Sequence, residues 1–379
     1  MELVTLEQVR QARLRAQRLQ PGAEAADVTQ LVRDLCGIQA QDRPAAEKAP
    51  QPRTRRLTVN HVRAALEKDR SIIRTWLMRG TLHLVTTEDA AWLLPLLGPL
   101  FVPKGARRRK QLGLVEAVWK RAAPAIRDIL GQHGPLTRPA LAQRLAKRDI
   151  PTEGQAIAHL VARAAMEGLI CFGPDTADGE HTYVLLEAWV DVELAAPDEI
   201  DEAQAYAGLV RRYVQAYGPV GPRDFASWSG LGLRATRAAF ERLNAELLTV
   251  EAGGETLHLL PAQREWLDAA PRDGPVVRLL PAFDAYLLGY RNRDLIVAQP
   301  YARRVHPGGG MIRATVLLDG QAAGTWRWQQ ERQGRTLVVH PFRPLDRDVI
   351  DALEREAAAM GEYMALQATA GLRLESEAS

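Results

Sequence analysis

Apolar positions recur near helical spacing from Leu6 through Val9 and Leu14 to Leu19, with Arg10, Arg13, Arg15 and Arg18 beside them. Pro21-Gly22 stops this pattern. Asp27 suits the cap of a second helix, Val28 to Leu35, expected to end at Gly37. A third helix is predicted from Val59 to Lys68. Ser71 to Met78 is rich in β-branched residues and partly alternates, Arg79-Gly80 turns the chain, and Thr81 to Val85 returns, which is a hairpin signal. Three helices followed by a hairpin is the layout of a winged helix.

The pattern repeats. Gly134-Pro135-Leu136-Thr137-Arg138-Pro139 and Gly218-Pro219-Val220-Gly221-Pro222-Arg223 stand 84 positions apart (218 minus 134). Each follows a predicted helix, Val118 to Leu130 and Ala205 to Tyr217, and opens a short helix and then a longer one, Gly154 to Met166 and Leu233 to Leu243. Each closes in a strand pair, Leu169 to Phe172 with Thr182 to Leu186, and Leu247 to Glu251 with Thr256 to Leu260. From Gly274 the period changes to that of strands: Val276 to Leu280, Met311 to Leu318, Ala322 to Gln329 and Thr336 to His340, with turn signals at Asp319-Gly320 and Gln333-Gly334. A last helix is predicted from Leu345 to Gln367. The predicted fold class is α+β: three tandem winged-helix motifs and a small antiparallel β-barrel or curled sheet, with no parallel sheet. The predicted divisions are 1–100, 101–190, 191–273 and 274–379.

The 379 residues allow several domains, and 46% hydrophobic with 25% charged residues is an ordinary globular balance. A net charge of +3 does not announce a nucleic-acid protein, but 43 of the 49 basic residues are Arg, the better fork for phosphates and base edges. A GC-rich genome accounts for the same bias. Charge is unevenly placed. Phe101 to Ile150 holds twelve basic residues and three acids, densest at Arg107-Arg108-Arg109-Lys110. Glu187 to Ala205 holds seven acids and no Lys or Arg, as a linker that repels a polyanion would. Two cysteines, Cys36 and Cys171, make neither a disulfide framework nor a metal cluster, so a reduced, cytoplasmic protein is expected, with no metal and no cofactor. The N-terminus lacks the unbroken apolar core of a signal peptide. The apolar stretch around Ala90 to Val102 is broken by Pro95, Pro99 and Pro103 and too short to span a bilayer, so no membrane partner is expected.

The most informative stretch is Cys36-Gly37-Ile38-Gln39-Ala40-Gln41-Asp42-Arg43-Pro44. In an extended segment Gln39 and Gln41 share one face; at a helix start they converge less. Two neutral amides, each both donor and acceptor, can hold a water and the edge of a heterocycle without adding charge. A polar helix terminus is the plain alternative. Further on, the aromatic run Leu280 to Arg291 precedes the loop Arg303-Arg304-Val305-His306-Pro307-Gly308-Gly309-Gly310, whose three glycines permit close backbone approach or simply a mobile loop.

Gln39-Ala40-Gln41, the WLMRGTLHLV segment from Trp76 to Val85, LLPAFDAYLLGYRNR from Leu280, and VHPGGGMIRATVLLDGQAAGTWR from Val305 together resemble the AlkZ/YcaQ family of bacterial DNA glycosylases, in the same order over nearly the whole chain. The resemblance implies three tandem winged helices and a small barrel around a DNA channel, and excision of alkylated purines, with some members unhooking interstrand crosslinks. It implies catalysis by Gln39 and Gln41, the family's Gln-x-Gln signature, and the second Gln points to the AlkZ-like side. The implied partner is double-stranded DNA carrying alkylated bases, bound by a monomer. Arg79, Arg107, Arg108, Arg109, Lys110, Arg303, Arg304, His306 and Arg313 are the expected DNA contacts, mostly to phosphate, near one channel with the two glutamines. No lysine is placed to suggest a Schiff base, so a monofunctional hydrolase is expected. The rival readings are a non-enzymatic winged-helix regulator or architectural DNA binder, and a protein-interaction scaffold; tandem repeats with an added sheet fit a regulator poorly.

Overall fold

The structure, a computed structural model, describes residues 2–268, 274–332, 334–366 and 369–375. It is of the α+β class, with many short helices and small sheets. The chain divides into two compact units, Met1–Val62 with Tyr206–Ser379, and Arg63–Ala205.

In the first unit the helix Leu6–Ala16 opens on a reciprocal cap: Thr5 Oγ1 accepts from Gln8 N at 3.1 Å and Gln8 Oε1 accepts from Thr5 N at 2.8 Å. Its inner face, Val9 and Ala12, packs with Val250, Leu257 and Leu259 of a hairpin. That hairpin, Leu248–Ala252 with Glu255–Leu259, follows the helices Glu202–Tyr217, Pro222–Ser229 and Leu233–Arg242, as the repeat predicts. Beyond it, Val277–Leu280, Thr315–Leu318, Gln321–Glu331 and Gly334–Pro341 pair antiparallel in chain order. The helix Arg347–Tyr363 packs Val349, Leu353 and Met360 onto this sheet.

Two parallel pairings depart from the sequence expectation. Glu2–Leu3 runs parallel beside Leu248–Ala252, and Thr369–Leu374 runs parallel beside Gly334–Pro341. The second makes the sheet five-stranded, and among the described residues its first and last strands do not pair, so no closed barrel is seen. Both added strands are short, without the alternation that marks a strand in sequence. Gln333 and Gln367, predicted in a turn and at the end of the last helix, lie outside the described residues.

In the second unit the hairpin Ile72–Trp76 with Leu82–Thr86 is antiparallel, and Arg79 and Gly80 turn it at φ 58° and 68°. A second hairpin, Ile170–Phe172 with Thr182–Leu185, follows the helices Glu116–His133, Arg138–Ala146 and Ala156–Met166, around a core that includes Ile126, Leu141, Leu160 and Ile170. The proline-broken stretch is a correction: Thr87–Phe101 is one helix with Pro95 and Pro99 inside. Pro95 cannot donate to the Ala91 carbonyl one turn back. That carbonyl accepts instead from Ala195 N, at 3.0 Å. Leu93, Leu94, Leu97 and Phe101 bury the rest. Among the described residues no helix is long and apolar enough to cross a membrane.

His83, on the second strand of the first hairpin, is buried, with Nδ1 2.9 Å from Thr81 O. Burial, and secondarily the Arg79 charge, push its pKa down to about 3. An unfolded histidine protonates near the ordinary value of 6.5 while the folded one stays neutral. Its contribution to stability is therefore complete above that pH and lost as pH falls from about 6.5 toward about 3, at up to about 1.4 kcal/mol per pH unit. Urea unfolding should show this slope between pH 6.5 and 5 in the native chain and a shallower one in His83→Gln. Equal slopes would mean that His83 is protonated in the fold.

Candidate active site and nucleic-acid interface

The position of Gln39 follows from how the preceding helix stops. Val28–Asp34 is capped by Asp27, which accepts from Gln30 N at 2.7 Å. It ends in two crossed bonds, Cys36 N to Arg33 O at 3.0 Å and Gly37 N to Val32 O at 2.9 Å, the helix stop that requires a left-handed residue after the cap. That residue is Cys36, at φ 55°, one position before the expected glycine; Gly37 follows at φ 96° and redirects the chain. The last carbonyl, Leu35 O, accepts from the buried Tyr217 hydroxyl at 3.3 Å.

Ile38–Gln39 is then a short strand, and residues 40–42 bend toward the helix Arg43–Lys48. Ile38 and Ala40 are buried at 1% and 0% exposure, Gln39 is half-buried and Gln41 is exposed. Of the two conformations open in the sequence, the extended one is adopted at Gln39, and the burial alternation runs on to Gln41. Apolar side chains go one way and amides the other. Asp42 caps the helix, accepting from Ala45 N at 3.0 Å, with Pro44 in its first turn. Arg43 Nε donates to Glu47 Oε1 at 2.8 Å, and Tyr363 OH donates to Glu47 O at 2.6 Å, tying this helix to Arg347–Tyr363.

Behind the helix lies a wholly buried ion pair. Arg53 donates through Nη1 and Nη2 to the two oxygens of Asp284, each at 2.8 Å, with both side chains at 0% exposure. The same guanidinium donates to Ala49 O at 2.8 Å and Gln17 O at 3.0 Å. Asp284 also accepts from Tyr286 N at 2.9 Å. Arg53 thus clamps the end of the helix that follows the glutamines. Sequence reasoning missed this pair, because its partners stand 231 positions apart.

Lys48 was missed as well. It is half-buried, its Nζ donates to Pro44 O at 2.9 Å, and burial lowers its pKa, with Asp42 and Glu47 opposing and Arg335 adding to the lowering. Lys48 is thus within electrostatic reach of both Arg335 and the Asp42 cap, which directly follows Gln41. Among the described residues no three His, Cys, Asp or Glu side chains group as metal ligands.

The expected DNA contacts divide between the units. Gln39, Gln41, Arg303, Arg304, His306 and Arg313 belong to the first; Arg79, Arg107, Arg108, Arg109 and Lys110 belong to the second. Arg107, Arg108 and Lys110 are exposed on the helix Ala106–Gln111. Arg108 donates to Gln155 Oε1 at 2.8 Å and Gln111 Oε1 at 3.1 Å, neutral amides that leave its charge uncompensated. Arg109 is different: it is 6% exposed and donates to Val102 O at 2.6 Å, so its guanidinium serves the fold. Arg79 is half-buried in the hairpin turn. Arg303 and Arg313 are exposed, whereas Arg304 lies over the Phe342 ring at 4.4 Å, and Phe342 stacks on Tyr301 at 4.6 Å. His306 has both ring nitrogens buried without hydrogen-bond partners, and burial, helped by Arg293, lowers its pKa to about 4. It is neutral at neutral pH and offers no charge to phosphate. The adjoining glycines 308–310 all have positive φ, with open space where side chains would stand.

A family model described as "DNA glycosylase AlkZ-like" matches residues 32–363, most of the chain, Gln39 and Gln41 included. The chain belongs to the AlkZ-like DNA glycosylase family. An interstrand DNA cross-link repair glycosylase of Streptomyces sahachiroi is 31% identical over 363 residues, spanning 91% of this chain and 93% of the relative. The solved structure of Streptomyces sahachiroi DNA glycosylase AlkZ superposes with a TM-score of 0.82 at 26% identity, covering 99% of this chain and all of that one. As an AlkZ-like DNA glycosylase the chain is an enzyme whose substrate is DNA, and the regulator and scaffold readings give way to that membership.

Proposed function

We propose that the chain is a monofunctional glycosylase that hydrolyses the N-glycosidic bond of N7-alkylated purines in duplex DNA, with Gln39 and Gln41 as its catalytic residues. The observation that carries this is the burial alternation across residues 38–41, which leaves the amides outside and the apolar side chains inside. N7-alkylation puts positive charge on the base, so it departs without a general acid. What remains is to place a water against the sugar and to stabilise an oxocarbenium-like transition state with fixed dipoles. Two amides suit that task. They are too weak as bases to act before the bond has largely broken, which favours a labile cationic lesion over a normal base. The action of the Streptomyces relative on crosslinks supports extending the substrate to interstrand crosslinks joined through such a purine.

In this reading the helix–helix–hairpin repeats are three winged helices, and the five-stranded sheet is a curled sheet rather than a closed barrel. Arg107, Arg108, Lys110, Arg303 and Arg313 meet phosphates as exposed cations, Arg304 does so from its aromatic stack, Arg79 from its turn, and His306 approaches DNA as a neutral group. The test is a duplex with one N7-methylguanine and a second duplex with one N7-linked crosslink. Each is incubated with the protein and then heated in alkali. Strand cleavage after alkali above that of an enzyme-free control, and none before it, is the expected result, since a monofunctional enzyme leaves an intact abasic site. Cleavage without alkali would make the enzyme a lyase, and no cleavage in either case would remove N7-alkylated purines from its substrates.

A further inference from the structure

The two Gly-Pro repeats do not present their longer helix in the same way. In the first, Ala156–Met166 buries eight of its eleven residues, Arg163 among them. In the second, Leu233–Arg242 buries only Thr236, Ala239 and Phe240. These form one stripe, continued by Leu243. The opposite face exposes Arg234, Arg237, Glu241 and Arg242.

The preceding helix, Pro222–Ser229, carries exposed Arg223 near its start. A tight turn joins the two helices. Gly230 is left-handed at φ 80°, and Ser229 Oγ donates to Phe225 O at 2.7 Å while accepting from Leu231 N at 3.2 Å. Phe225 and Phe240 pack edge to face at 6.2 Å across the pair. The angle between the helices is thus fixed by buried contacts.

Arg223, Arg234, Arg237 and Arg242 make no ion pair among the described residues. Nearby Arg211 is bound to Glu246 at 2.7 Å, and Arg264 to Asp268 at 2.7 Å. Four exposed guanidiniums on one rigid helix-turn-helix, against exposed Glu241 and a half-buried Asp224 that faces Arg13 at 3.9 Å, match a polyanion in charge. In shape, a ten-residue helix about 15 Å long fits the major groove of B-form DNA. The hairpin behind it is unsuited to the same role, since Glu251 and Glu255 flank its tip.

We infer that residues 222–242 form a second duplex-binding surface, with Leu233–Arg242 in the major groove and Arg223 on the flanking backbone, as the two helices of a helix-turn-helix divide the work. It shares no residue with the glutamine segment, so it holds the duplex without touching the reacting base.

The experiment compares the full chain with R234A/R237A and R234E/R237E by anisotropy on an unmodified duplex over a salt series. Arg234 and Arg237, at the edges of the groove, offset the phosphates that border it, and losing both should lower the slope of log K against log salt by up to about 1.8 in the alanine variant. Charge reversal should weaken binding further. The inference is overturned if both variants, folded by circular dichroism, retain wild-type affinity and slope. Because binding is read on undamaged DNA, a changed slope upholds this surface even where the N7-alkylpurine reading fails.

Discussion

Asp284→Ala should destabilise the Gln-bearing unit by about 3–5 kcal/mol, a large share of what holds a typical domain folded. The reason is the charge left behind. Arg53 is at 0% exposure, and both of its bonds to Asp284 would vanish together. Its remaining contacts, Ala49 O and the Gln17 oxygens, are neutral and cannot balance a buried guanidinium. The same change removes the acceptor for Tyr286 N. Arg53→Met with Asp284→Leu should lose less than Asp284→Ala alone, since it removes the orphaned charge, although Tyr286 N still loses its acceptor. Urea midpoints read this directly. A loss under about 1 kcal/mol for Asp284→Ala would mean that Arg53 finds water or another partner.

Gln39→Ala and Gln41→Ala should each cut single-turnover excision of N7-methylguanine by about 10²-fold or more while leaving DNA affinity and unfolding midpoint near wild type. Stability should hold because Gln39 is only half-buried and Gln41 is exposed, while Ile38, Ala40 and the Asp42 cap keep their contacts. The deficit should shrink for adducts that depurinate quickly unaided, which need less help. Gln41→Asp should retain activity, since a carboxylate still accepts from water and opposes the positive sugar. Its cost should appear in affinity, because Asp42 already places one negative charge beside it.

Legibility followed the range of the interactions. The helix Val28–Asp34 and the hairpin around Arg79-Gly80 are specified locally, by a cap, a spacing and a turn, and both stand within a residue or two of their predicted bounds. The helix through Pro95 and Pro99 was illegible because the donor that replaces the missing amide, Ala195, lies 104 positions from Ala91 (195 minus 91). The parallel strand Thr369–Leu374 was missed because it borrows its register from a distant edge. In Arg107-Arg108-Arg109-Lys110 a run of like charges hid the helix period that turns Arg109 inward. At Gln39 and Gln41 the pair of amides was legible and the conformation was not. Whether the segment is extended depends on the left-handed Cys36, which nothing in its side chain announces.

The central claim, that this amide pair carries hydrolysis, is tested most directly by one rate comparison. Wild type and the Gln39→Ala/Gln41→Ala double variant are each held in excess over a duplex with a single N7-methylguanine, and abasic-site formation is followed to completion. The account predicts that the double variant, folded and bound, approaches the spontaneous depurination rate. Excision by that variant at the wild-type rate would contradict it and leave Gln39 and Gln41 as a polar approach to the helix Arg43–Lys48.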